Sequence, residues 1–78
     1  MNPTHAVRII VRTTKADSAF LYHVIEAHEG LATCTTLPNP EHAQYRDVEL
    51  LVPRELVAEM KLVLEDLSDI VTILSQSV

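Results

Sequence analysis

The chain has 78 residues, 47% of them hydrophobic, and its eleven Asp and Glu against six Lys and Arg give a net charge of −5. So short a chain buries only roughly 60% of its unfolded surface on folding, which allows one domain over residues 1–78 with a thin core. Acidic balance, dispersed cations and few aromatics exclude nucleic acid as a partner. With no apolar run near the ~20 residues of a bilayer span, no hydrophobic signal core and only Cys34 as thiol, no membrane partner and no internal disulfide are expected, and the location is expected to be cytoplasmic.

His5 to Thr14 reads as the first strand and the centre of the fold. Val7, Ile9 and Val11 fall on one side of its pleat and Arg8, Ile10 and Arg12 on the other, as in a strand with one covered and one open face. Thr14-Lys15-Ala16-Asp17 has capping-box spacing, the Thr14 hydroxyl serving the first free N–H groups and Asp17 reaching back to it. The helix that starts there has Phe20, Leu21, Val24, Ile25 and Ala27 on its apolar arc, with Ser18, Tyr22, His23, Glu26 and Glu29 opposite. Gly30, the one glycine, suits a left-handed cap and ends the helix near Glu29.

Leu31 to Leu37 alternates as a second strand, with Ala32 and Cys34 on one side and Thr33 and Thr35 on the other. Pro38 and Pro40 make LPNPEH a loop between strands. Tyr45 to Val52 is the third strand, with Val48, Leu50 and Val52 inward and Tyr45, Asp47, Glu49 and Leu51 outward. Pro53 ends it and opens a second helix, whose apolar face is Leu56, Val57, Met60, Val63, Leu64 and Leu67. Ile70 to Leu74 gives the last strand.

The order strand, helix, strand, strand, helix, strand predicts an α+β fold, the ferredoxin-like βαββαβ sandwich. Its four-stranded antiparallel sheet has order 4-1-3-2 and carries both helices on one face. Val7, Ile9, Val11, Phe20, Val24, Val48, Leu50, Val57, Met60 and Leu64 are the expected core.

This pattern resembles the ACT-like domains. The run EAHEGLATCTTLPNPEHAQYRDVELLVP, Glu26 to Pro53, is similar to a family of very small bacterial ACT-like proteins of unknown function, in which helix-EGLA-strand is followed by a hairpin and a strand ending in Pro. The resemblance extends from about Val7 to Ile73. It implies a stand-alone module that pairs with itself and binds amino acids or other small effectors in a regulatory role. The ligand loop of such domains carries an Asp and a Gly, whereas TTKADSA, Thr13 to Ala19, has no glycine.

The candidate ligand or interface residues are those expected on the open face: Arg8, Ile10 and Arg12 with Tyr45, Asp47, Glu49 and Leu51. Arg8 and Arg12 beside Asp47 and Glu49 make exposed cross-strand pairs worth only ~0.2 to 1 kcal/mol each. Ile10, Leu51 and Tyr45, joined by Ile70 and Leu74 if Val71 and Ile73 face the helices, add up to an apolar patch of a few hundred Å². A homodimer or higher homo-oligomer is its expected cover, through the sheet face or, as the rival seam, through an edge at the second or fourth strand.

No catalytic residue, cofactor or metal is expected. His23 and His28 are five apart, which does not make an i, i+4 metal pair, and His28 is expected to pack within the apolar arc. The alternative function is a metal-responsive binding protein using His5, Cys34 and His42. A nucleophilic Cys34 in mid-strand has little access to substrate. An acylphosphatase-type activity needs an anion-cradling loop after the first strand, against which the glycine-free Thr13 to Ala19 argues. Glu55, Glu59 and Asp66 read as a solvated helix face.

Overall fold

The computed structural model describes residues 6–77, so His5 lies outside the described residues. The elements are β1 (Ala6–Thr14), α1 (Lys15–Ala27), β2 (Thr33–Thr36), β3 (Tyr45–Pro53), a 3-10 turn (Arg54–Leu56), α2 (Val57–Asp66) and β4 (Val71–Ser77). All four strands join one antiparallel sheet of order β2-β3-β1-β4, which is the expected order counted from the opposite edge. β1 is interior, bonded to β3 on one side and to β4 on the other.

Alternation along β1 and β3 decides where the helices sit. Val7, Ile9, Val11, Val48, Leu50 and Val52 form one buried cluster with Leu21 and Ile25 of α1 and Met60 and Leu64 of α2. Their sequence neighbours Arg8, Ile10, Arg12, Asp47, Glu49 and Leu51 are half-buried or exposed. Among the described residues, both helices therefore cover one face of the sheet and nothing forms a second layer on the other.

The start signal acts as read, but the helix stops at Ala27, before the expected Glu29, with His28 and not Gly30 at its cap. Thr14 is the N-cap of α1: its Oγ1 accepts from the Asp17 N–H and donates to the Asp17 carboxylate, both at 3.0 Å. Gly30 adopts φ +79°, a left-handed geometry for which an L side chain is strained. The chain doubles back there, with the Leu31 N–H donating to the His28 carbonyl at 2.9 Å.

The buried side of α1 corrects the expected one. It is Ser18, Leu21 and Ile25, while Phe20 is 53% exposed and Val24 only half-buried. The helix is turned toward Ser18 by a little under one residue's step of about 100°. Ser18 tolerates burial because its hydroxyl donates to the Lys15 carbonyl at 2.8 Å and accepts from Nη1 of Arg46 at 3.2 Å. Tyr22, expected on the solvent side, is half-buried and hydrogen-bonded through its hydroxyl to Thr36 of β2. His28 does not pack in the apolar arc: α1 ends at Ala27, and as C-cap, at φ −96° and ψ 78°, His28 turns out to solvent.

Element bounds shift elsewhere too. β2 is shorter than expected, and Pro53 closes β3 without opening α2, since a 3-10 turn intervenes and α2 begins at Val57. Among the residues expected in the core, Val57 is only half-buried. β4 begins one residue later and runs to Ser77 because its polar end pairs with β1, Arg8 opposite Ser77 and Ile9 opposite Gln76. The pairing jumps from Ile10–Ser75 to Val11–Ile73, so Leu74 is the extra residue of a bulge. Val71 is buried as expected, whereas Ile73, opposite buried Val11, remains 48% exposed because the helix layer stops short of the outer part of β4.

Ile9 is fully buried in the central strand. Ile9→Ala is expected to lower the unfolding free energy by about 2–5 kcal/mol, a large share of the stability of a domain this size, read as a lower urea midpoint at unchanged slope.

Candidate functional site

The seven candidate residues all stand on the open face. Register places Arg12 opposite Asp47, Ile10 opposite Glu49, Arg8 opposite Leu51 and Thr14 opposite Tyr45. Arg12 grips Asp47 with two hydrogen bonds, Nε to Oδ1 at 2.7 Å and Nη2 to Oδ2 at 3.0 Å. The guanidinium also lies 3.9 Å from the centre of the Tyr45 ring, a cation–π contact. Arg8 reaches diagonally to the Glu49 carboxylate. Ile10, between the two arginines, is half-buried, and Leu51 is 37% exposed. The face thus carries two closed ion pairs with little apolar surface between them.

The hydrogen bond from Arg12, against a smaller opposing effect of burial, holds the Asp47 carboxyl below its ordinary range; the same bond raises the guanidinium further.

At the end of β1 this face runs into a shallow cleft of about 280 Å³. Arg12, Thr13, Thr14 and Tyr45 form one wall, and Ser68, Asp69, Ile70, Val71 and Thr72 of the α2–β4 turn and β4 form the other. The Thr13 hydroxyl donates to the Ile70 carbonyl at 2.8 Å and ties the two walls together. Hydroxyls and the Asp69 carboxylate line the cleft beside Ile70 and Val71, and the Arg12 guanidinium at its edge is already held by Asp47. Asp69 and Thr72 had no motif to announce them, because only the pairing of β4 with β1 brings them beside Arg12.

The remaining candidates stay apart. Among the described residues no three His, Cys, Asp or Glu side chains converge as metal ligands; His23 and His42 are exposed, and His5 lies outside the described residues. Cys34 is half-buried, and burial, followed by the charge of Glu26, pushes its thiol above the ordinary value, opposite to what thiolate chemistry uses. Thr13 to Ala19 contains no loop: β1 ends at Thr14 and α1 begins at Lys15, so nothing there can fold around an anion. Glu55, Glu59 and Asp66 are exposed on α2 and the turn before it. Among the described residues, no helix is long and apolar enough to cross a membrane.

No protein-family model matches the chain, and no significant match was found among curated proteins or solved structures.

A carboxyl whose folded pKa lies below its unfolded value stabilises above the unfolded value, near 4, and that contribution is lost as pH falls through the folded value. Asp47→Asn is therefore expected to lower the urea midpoint at pH 7 and to match the wild type once pH has fallen below the folded Asp47 pKa. A midpoint difference that persists there contradicts the pairing.

Proposed function

We propose that the chain is a stand-alone ACT-like module of ferredoxin-like architecture, cytoplasmic and non-catalytic, which self-associates and holds a small polar effector in a regulatory role. The observation that carries this reading is the incomplete cover of the sheet. Among the described residues the helices lie over one face alone and stop short of the outer part of β4, leaving Leu51, Ile73 and Leu74 exposed. Ile73 and Leu74 adjoin on β4, and a second protein surface would cover that pair. The order β2-β3-β1-β4, with two helical crossovers, supports the sandwich assignment. The cleft between Arg12 and Asp69 supports a small ligand, and it lies at the sheet end, where no strand-to-helix loop is required.

Native mass spectrometry tests the reading by weighing subunits and bound metal together. A dimer or larger assembly free of metal is the expected result, with far-UV circular dichroism unchanged by a chelator. A monomer at every concentration contradicts self-association, and a stoichiometric metal contradicts the module proposed.

A further inference from the structure

We propose that the outer half of β4 is a two-register element: residues 75–77 slide by one residue along β1, pivoting at the bulge, so that Leu74 is the extra residue in one register and a paired strand residue in the other. This goes beyond the self-association reading and does not depend on it.

The inner half of β4 is fixed. Val71, Thr72 and Ile73 stand opposite Thr13, Arg12 and Val11. Val71 is buried, its N–H donates to the Leu67 carbonyl at 2.9 Å, and the Thr13 hydroxyl holds the Ile70 carbonyl at 2.8 Å. Beyond the bulge, Ser75, Gln76 and Ser77 stand opposite Ile10, Ile9 and Arg8. Continuing the inner register without a bulge sets Leu74 opposite Ile10, Ser75 opposite Ile9, Gln76 opposite Arg8 and Ser77 opposite Val7. β1 extends to Ala6, so each of these partners exists.

Burial fixes register elsewhere in the sheet, because a one-residue slip of β1 or β3 exchanges core for surface. It does not fix the outer half of β4. Ser75, Gln76 and Ser77 are all polar and all exposed, so the slide trades one exposed polar side chain for another on either face. β4 is also an edge strand, and the slide breaks hydrogen bonds on one side only. The bulge leaves Leu74 out of the ladder, whereas the slide restores it and sets it beside Ile10 as a cross-strand apolar pair. In favour of the bulge stands the added twist that turns an edge away from unwanted pairing. Opposing effects this small keep the two registers within a few-fold to a few-hundred-fold of each other in population. The open face differs between them: Ile10 has Ser75 beside it in one and Leu74 in the other, so its apolar content rises with the slide.

Relaxation-dispersion and saturation-transfer NMR on the whole wild-type chain test this. Exchange on the μs–ms scale is expected at residues 74–77 and at their partners 7–10, with a minor population of at least about 1% whose backbone carbon shifts are those of a strand. Deleting Leu74 leaves residues 75–77 with their bulged-register partners and no bulge, and is expected to abolish the exchange in a protein that a urea midpoint shows to be folded. Flat profiles in the wild type overturn the proposal. Coil-like shifts in the minor state overturn it too, since they report fraying of the strand end, and this readout needs no variant. Exchange that survives the deletion has the same meaning.

Discussion

The rest of the structure depends on the register of β1 in the middle of the sheet. Val7, Ile9 and Val11 must face the helices for a core to exist, and the same alternation sends Arg8 and Arg12 to the other face. A slip of one residue would bury both guanidiniums and expose the three apolar side chains. β3 repeats the pattern with Val48, Leu50 and Val52 inward and Asp47 and Glu49 outward, so one pairing satisfies the core and the ion pairs together. Exposed pairs of this kind add little stability. They add discrimination, since a shifted register separates Arg12 from Asp47 while it breaks the core.

That coupling explains which parts of the fold are legible in the sequence. Period-two alternation in β1 and β3 is strong and local, as are the Thr14 cap and the left-handed turn at Gly30 just after the helix, and the strand order follows from the element order. The facing of α1 is not legible in the same way. Phe20 and Val24 look like core residues beside Leu21 and Ile25, and Ser18 looks like surface. Ser18 is acceptable inside because its hydroxyl donates to the Lys15 carbonyl and accepts from Arg46 of β3. Nothing near Ser18 in sequence announces a residue 28 positions away.

β4 illustrates the same limit at the surface. Ser75-Gln76-Ser77 lies beyond the strand expected from Ile70 to Leu74, and it extends β4 by pairing with β1 as far as Arg8. The bulge at Leu74 is likewise a product of that pairing. The candidate face was legible down to its ion pairs, since Arg8, Arg12, Asp47 and Glu49 follow from alternation and strand adjacency. Its apolar content was overestimated, because alternation says which way Ile10 points and not how far its neighbours shield it. The cleft beside Arg12 was not legible, as half its lining arrives with the turn before β4.

The organising claim is that β1 is bonded on both sides in one stated register. Cross-strand nuclear Overhauser effects in isotope-labelled protein test it most directly. The account requires contacts from the Val11 backbone to Val48 on one side and to Ile73 on the other, with Arg12 close to both Asp47 and Thr72. Contacts from β1 to a single neighbour, or a pattern displaced by one residue, would contradict it.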